Sequence, residues 1–173
     1  MPQPKGTLLP GQGHRFSLGF IEARVLIEGA SAGDAFALVE ATLAPMTLAG
    51  PLHLHERESG WFYVLDGELG IQVGEAVVEA DAGALVFAPS GVAHTYWNRG
   101  SRTARYLEAF APAGLDRYYA ELSEILASGS GLDRVLELSK AYGLQFQLES
   151  IPMLMERHGV RMPGLDDGED HGG

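Results

Sequence analysis

The sequence predicts a predominantly β fold, a sandwich or barrel of short strands followed by C-terminal helices. Between Phe16 and Pro112, short apolar and β-branched runs are separated by Gly, Pro, Ser and Asp. After Pro112 the apolar residues recur at helical spacing instead. The length of 173 residues suits one domain with a sizeable core. These observations together predict an all-β fold with a helical extension.

The strand-rich region contains several short strands at the spacing typical of sandwiches and barrels. Turn sequences such as Asp66-Gly67 and Gly74-Glu75 separate them. The predicted strands are Phe16–Ile27, Ala35–Ala44, Leu52–Glu56, Trp61–Leu65, Leu69–Val73, Ala76–Glu79, Leu85–Ala88, His94–Asn98 and Ala104–Phe110.

Three helices are predicted after Pro112. The first begins at Leu115 and ends before the breaker run 128–131, and the second covers 132–142 with Gly143 as its terminating residue. The third follows Ser150, an N-cap candidate, and stops near Gly159. We therefore divide the chain into a leader with the first strands (1–34), a barrel core (35–112), a helical extension (113–160) and an acidic tail expected to be disordered (161–173).

Charge and composition exclude several functional classes. The net charge of −11, without a dense Lys/Arg run, disfavours nucleic acid and anionic membrane surfaces as partners. The absence of cysteine excludes disulfides, thiolate ligands and cysteine nucleophiles, and it fits a cytoplasmic protein. We expect no signal peptide and no membrane span, because no apolar run approaches the roughly 20 residues that a span requires. Phosphate-loop, serine-hydrolase and dinucleotide-binding motifs are also absent.

Two histidines form the run His53-Leu54-His55 on a predicted strand. Because side chains alternate faces along a strand, both imidazoles should lie on the same face, close enough to share a metal ion. Taken alone, such a short motif is more often a chance occurrence or a pair on a solvent-facing strand. A metal site therefore needs support from a second motif.

That support comes from Gly83, Pro89, Gly91, His94 and Asn98, in the arrangement G-x5-P-x-G-x2-H-x3-N. This arrangement resembles the second motif of the cupin superfamily. His55 together with residues 60–67 resembles the first motif of the family. The short interval between the two motifs is similar to that of compact bacterial monocupins. The resemblance covers roughly residues 35–112. It implies a cupin-type β-barrel in which His53, His55 and His94 hold one divalent transition metal, Fe(II) by preference, with Ni, Mn, Cu or Zn as alternatives.

The sequence departs from the family at Gly60, where cupins usually have a glutamate ligand five residues after the second histidine. Three interpretations remain open. The site is a bare three-histidine triad, or Glu58 supplies the fourth ligand, or the metal site has decayed. Glu58 shares the strand parity of Gly60, whereas Glu56 has the opposite parity and is expected to face solvent.

Further residues are candidates for the surroundings of the site. Phe62 shares the parity of Gly60, and we expect both to line a substrate pocket. Tyr96 is either core or a hydrogen-bond donor to a ligand. Glu40, in the middle of a strand, is either an acid or base inside the barrel or a charge on its rim, and the rim is favoured.

The resemblance to quercetin-dioxygenase-like monocupins implies an oxygenase for a small enolisable, flavonol-type or diketone-type substrate that chelates the metal. The alternatives are a non-redox isomerase, cyclase or dehydratase that uses Zn or Ni as a Lewis acid, and a small-molecule-binding module without turnover. A homodimer is expected, because exposed strand edges tend to be covered and because such cupins commonly pair.

Overall fold

A computed structural model describes residues 6–163 of the chain. Within this range two six-stranded antiparallel sheets face each other, and three α-helices follow them. The predicted all-β fold with a C-terminal helical extension is therefore confirmed.

Twelve strands lie within the described range. They are β1 (Arg15–Ser17), β2 (Ile21–Ile27), β3 (Ala37–Leu43), β4 (Thr47–Leu48), β5 (Leu52–His55), β6 (Ser59–Asp66), β7 (Glu68–Val73), β8 (Ala76–Asp81), β9 (Leu85–Ala88), β10 (His94–Asn98), β11 (Ala104–Ala111) and β12 (Leu144–Gln147). The first sheet has the order β1-β2-β3-β11-β6-β9. The second has the order β12-β5-β10-β7-β8, with β4 also paired to β10.

The main core fills the space between the two sheets. Alternate residues of β3, β6 and β11 point inward from the first sheet, and those of β7 and β10 point inward from the second. Val39, Phe62 and Tyr106 are examples, each no more than 1% exposed. This alternation follows from the strand period of two, and it decides which polar residues reach the interior.

Three differences from the sequence prediction concern strands. The predicted first strand is two strands, β1 and β2, because the segment 18–20 reverses the chain. The two-residue strand β4 was not predicted, since two residues carry no periodicity. Strand β12 was not predicted either, and it extends the second sheet by pairing Phe146 with His53 and Leu144 with His55.

The helices are α1 (Leu115–Ala127), α2 (Leu132–Ala141) and α3 (Ile151–His158), within one residue of their predicted bounds. Ser150 stands at the N-cap position of α3 without capping it; its hydroxyl instead donates to the Gln147 carbonyl and accepts from the Leu52 N–H. None of the described helices is both long and apolar enough to cross a bilayer.

Helix α3 covers the outer face of the second sheet and forms a second apolar cluster. Trp97 is wholly buried there with Leu48, Ile151, Leu154 and Val160. Beyond α3 the chain returns to the barrel. Residue Arg161, assigned by sequence to a disordered tail, exchanges backbone hydrogen bonds with Met46 and Leu48. The rest of that predicted tail, from 164 onward, lies outside the described residues.

Candidate metal centre

Three histidines meet on the inner face of the second sheet. His53 and His55 alternate along β5, and His94 on β10 is the direct cross-strand partner of His53. The ring centroids are 4.6 to 5.2 Å apart. One nitrogen from each ring lies within 4.8 Å of the other two. The antiparallel register thus assembles the triad that the two sequence motifs predicted.

Backbone carbonyls fix the orientation of two of the rings. The Nδ1–H of His53 donates to the Pro51 carbonyl at 2.9 Å, and that of His94 donates to the Val92 carbonyl at 3.0 Å. A carbonyl can only accept, so each ring carries its proton on Nδ1 and keeps a lone pair on Nε2. His55 Nε2 is buried without a hydrogen-bond partner. Such an orphaned nitrogen is costly unless something binds it.

Burial also keeps these imidazoles neutral. It lowers the pKa of His53 to about 3, with a further contribution from His94. Burial lowers the pKa of His55 to about 2, and the neighbouring rings lower it further. Burial is also the main cause that lowers the pKa of His94. Three neutral imidazoles with convergent lone pairs form a donor set that fits one transition-metal ion.

Apolar rings from both sheets surround the triad. The ring centroids of Phe62 and His94 are 6.3 Å apart, as are those of Phe110 and His55, and Phe146 lies 5.5 Å from His53. Gly60 is buried on β6, and a Cβ there would be 3.9 Å from the Phe110 ring, an ordinary contact. Phe62 therefore lies beside the triad and Gly60 faces Phe110, and a substrate pocket lined by Phe62 and Gly60 stays a prediction.

Glu58 is not among the groups that converge on the site. The cluster of ligand atoms within 4.8 Å comprises only the three histidines among the described residues. The Glu58 carboxylate is fully buried beside Gly114, where Oε1 accepts a 3.3 Å bond from Arg57. Its Oε2 has no partner among the described residues. Ligation by Glu58 would require a rearrangement of its side chain, and it remains a hypothesis to be tested.

Glu40 lies away from the site, on the outer face of the barrel. Its neighbours Val39 and Ala41 point into the core, so strand alternation turns its carboxylate outward to Arg24 and Arg105. Burial raises its pKa, but the hydrogen bonds and charges of the two arginines outweigh this, so the pKa is lowered overall. The structure therefore does not support Glu40 as an acid or base inside the barrel; the rim interpretation describes it.

Tyr96 points into the barrel but does not donate to a histidine. Its hydroxyl is 2.9 Å from the Tyr106 hydroxyl, and its ring packs 5.0 Å from that of Phe62. Tyr96 therefore belongs to the packed interior beside the site, and the direct hydrogen bond to a metal ligand is not present. Asn98, at the end of the same strand, ties the rim by bonding the carbonyls of Leu43 and Arg102.

One ionisable residue inside the barrel was not predicted from the sequence. Glu108 lies on the inward face of β11 and is 4% exposed. Its parity with Tyr106 and Phe110 was a readable signal, since the inward residues of a predicted strand are otherwise apolar. Its hydrogen-bond partner Tyr119 comes from α1, and no local pattern links the two.

Comparisons with known proteins agree with this geometry. Residues 39–110 match the family model described as a cupin domain. Among solved structures, a predicted oxalate decarboxylase from Thermotoga maritima is 26% identical, with a TM-score of 0.53, over 57% of this chain and 90% of that chain. An RmlC-like cupin from Shewanella frigidimarina is 22% identical, with a TM-score of 0.56, over 68% of this chain and 99% of that one.

A third structure, KdgF from Halomonas sp., is 15% identical, with a TM-score of 0.56, and covers 63% of this chain and 94% of its own. At such identities the RmlC-like cupin and KdgF show the fold alone. A comparison with curated proteins finds no significant match.

Proposed function

We propose that this chain, whose residues 39–110 match the cupin domain model, is a metal-dependent cupin enzyme whose His53, His55 and His94 bind one divalent transition-metal ion. The observation that carries the proposal is the convergence of three neutral imidazoles on one point, with His55 and His94 buried and His53 half-buried. Two of them are oriented by backbone carbonyls, and the third has a buried nitrogen without a partner. This arrangement is costly for an apolar core and suited to a metal ion.

The donor set favours a substrate that binds as an oxygen chelate. Three neutral ligands leave the full positive charge of a divalent ion uncompensated and about three coordination positions free. A small enolisable compound, of the diketone or flavonol type, offers two adjacent oxygens and one negative charge. When bound, Fe(II) supplies the one-electron chemistry needed to activate dioxygen, so oxygenation of such a compound is our leading hypothesis.

The chain's own residues would bind and orient the substrate. The carbonyls of Pro51 and Val92 hold two imidazole rings in place. The rings of Phe62, Phe110 and Phe146 provide an apolar wall that excludes water and packs against the body of the substrate. Gly60 leaves the fourth ligand position of the family without a side chain. A bidentate substrate therefore has no protein carboxylate at that position to compete with.

A non-redox reaction is the second candidate, and Glu108 is the observation that favours it. Isomerisation, cyclisation and dehydration need a group that gives or takes a proton at neutral pH. Burial raises the pKa of Glu108 to about 8, which places this carboxyl in the useful range. In this alternative, Zn or Ni in the histidine site would act as a Lewis acid.

Metal analysis tests the metal site directly. Protein purified from its native host, or reconstituted with Fe, Mn, Ni, Cu or Zn, should contain close to one ion per chain by plasma mass spectrometry. His53→Ala should abolish binding, because it removes one of only three ligands. His14→Ala is a matched control, since His14 is exposed and outside the cluster. Wild-type protein that stays metal-free under all these conditions would overturn the proposal.

The choice between the two reactions depends on oxygen consumption. Fe(II)-loaded protein supplied with acetylacetone, benzoylacetone or a flavonol should take up dioxygen in step with loss of the substrate. Zinc in protein from the native host, with substrate turnover that consumes no dioxygen, would instead favour the non-redox reaction. Binding of these compounds without any turnover would support the binding module.

The homodimer and the cytoplasmic location remain predictions. Light scattering coupled to size-exclusion chromatography would measure the molar mass in solution, and a mass near 18.5 kDa would contradict the dimer.

A further inference from the structure

A buried acid and three tyrosines form a polar cluster inside the barrel. Glu108 on β11 lies between Val39 of β3 and Phe62 of β6 in the sheet register, with its side chain directed inward. Helix α1 places Tyr119 against it, and the Tyr119 hydroxyl donates to Glu108 Oε2 at 3.2 Å. An ionisable residue at an inward position of an otherwise apolar strand requires an explanation.

The hydrogen-bonding capacity of this carboxyl is only partly used. Among the described residues, Tyr119 alone donates to Glu108, and no lysine or arginine of that range offsets its charge. The nearby hydroxyls of Tyr96 and Tyr106 are bonded to each other at 2.9 Å. The flanking residues from β3 and β6, Val39 and Phe62, cannot titrate or donate from their side chains. Glu108 Oε1 therefore has no protein donor in the described part of the chain.

The cluster and the metal centre share two phenylalanine neighbours, Phe62 and Phe110. Phe62, the register partner of Glu108, packs near His94, and Phe110, two residues along the same inward face, packs near His55. A molecule whose oxygens bind at the histidines and whose apolar body packs on Phe62 and Phe110 would lie against the inward face of the first sheet that also carries Glu108.

Burial also determines the protonation state in which Glu108 would bind a ligand. It raises the pKa of this carboxyl to about 8, although the Tyr119 hydrogen bond lowers it in part. The titratable groups that face Glu108 are Tyr96, Tyr106 and Tyr119, and burial raises the pKa of all three. At neutral pH the group is therefore a carboxylic acid among neutral phenols, able to donate one hydrogen bond and accept another.

We propose that Glu108 is a specificity-determining residue that hydrogen-bonds a hydroxyl on the end of the substrate remote from its metal-chelating oxygens, with Tyr119 positioning the carboxyl. The inference rests on the proposed function and extends it to a substrate class. The substrate is a small, flat, apolar molecule with an oxygen pair at one end and a hydroxyl at the other. A buried polar group that binds a hydroxyl also rejects the analogue without it, because it is then left unpaired.

Matched chelators measure this preference without requiring turnover. Protein loaded with Co(II) or Fe(II), kept free of oxygen, is titrated calorimetrically with benzoylacetone and with para-hydroxybenzoylacetone. We expect wild-type protein to bind the hydroxylated compound about tenfold more tightly. This ratio corresponds to the free energy of roughly one hydrogen bond to a buried group. Acetylacetone, which has the chelating oxygens but no aryl end to carry a hydroxyl, serves as the reference ligand for the metal itself.

Variants at the cluster separate recognition from packing. Glu108→Gln, which has the shape of the neutral acid, should keep the preference for the hydroxylated compound. Glu108→Met should reduce that preference to about onefold while metal content and acetylacetone affinity stay unchanged. Tyr119→Phe should reduce the preference without abolishing it, and it serves as the second test if Glu108→Met does not fold.

The outcomes distinguish this inference from the proposed function. Equal affinities of the wild-type protein for the two compounds, with normal metal and acetylacetone binding, would overturn the inference alone. A preference that persists in Glu108→Met would do the same. Failure of the wild-type protein to bind metal would overturn the proposed function and the inference with it.

Discussion

The buried acid Glu108 should leave a measurable signature in the pH dependence of stability. Its pKa is raised from an ordinary value of 4.5 to about 8 in the folded protein. Folding therefore favours the protonated form, and the associated stability is fully present below pH 4.5 and is lost as the pH rises toward 8. Glu108→Gln cannot ionise, so it should not show this loss.

The size of the effect follows from the two pKa values. Within that window each pH unit changes the free energy of unfolding by about 1.4 kcal/mol per group. Between pH 6.5 and pH 8, metal-free wild-type protein should therefore lose roughly 2 kcal/mol through Glu108 alone. This is a sizeable fraction of the roughly 5 to 15 kcal/mol that stabilises a typical domain.

The histidines act in the opposite direction and in a different range. Their folded pKa values are depressed, to about 3 for His53 and about 2 for His55, so their contribution to stability is complete above their ordinary value of 6.5. It is lost as the pH falls below that value. Above pH 6.5 the histidine contribution is therefore flat, and the loss caused by Glu108 can be measured separately.

Urea denaturation in the presence of a metal chelator, at several pH values between about 5 and about 8.5, provides the measurement. The difference in unfolding free energy between Glu108→Gln and wild type should grow with pH in favour of the variant. Glu124→Gln is a suitable control, because Glu124 lies on the exposed side of α1 and its carboxylate has no hydrogen-bond partner among the described residues. Parallel pH profiles for wild type and Glu108→Gln would refute the reasoning.

Three further predictions concern single positions. Glu58→Gln should leave metal affinity nearly unchanged in a competition assay with a chromophoric chelator. Glu56→Gln is its control, and a large loss of affinity that is specific to the Glu58 variant would show that Glu58 completes the ligand set. Asn98→Ala should lower the unfolding free energy by about 2 to 4 kcal/mol. The side-chain amide donates hydrogen bonds to the carbonyls of Leu43 and Arg102 and accepts one from the Gly100 N–H. A loss below about 0.5 kcal/mol would contradict this role. Gly70→Ala should cost about 3 kcal/mol or more in urea denaturation, since its Cβ would lie 2.1 Å from Trp97 Nε1. Gly50→Ala, which meets nothing within 4 Å, should cost much less, and equal losses for the two would argue against the clash.

Most of the fold could be predicted because strand and helix periodicity are local. Eight of the nine predicted strands and all three helices correspond to single observed elements, and β9 and β10 have the predicted bounds. The strands that were missed have a common reason. Strand β4 is two residues long, and β12 exists because the edge of β5 is available to pair with it. Pairing with a distant edge leaves no signal in the segment that pairs.

The histidine cluster could be predicted for the same reason, whereas the contacts of the other site residues could not. His53 and His55 share a face because they are two apart on a strand, wherever that strand lies. Tyr96 was placed inward correctly, but its partner, Tyr106, depends on the contact between opposite sheets. Glu40 shows that strand parity alone does not predict whether a side chain is inside or outside the barrel. Strand parity does not say which face is the interior, and Arg24 and Arg105 meet Glu40 on the outer one.

The sequence by itself determined most of the strands, the helices and the histidine cluster, because each depends on spacing along one segment or on two short motifs. The tertiary structure alone decided what surrounds them. It left Gly60 facing Phe110, buried Glu58 beside Gly114, and brought Tyr119 from α1 to Glu108 on β11. Burial and long-range pairing set the protonation of Glu108 and the orientation of Glu58. Neither the protonation state of Glu108 nor the orientation of Glu58 is defined until distant segments of the chain pack together and exclude water.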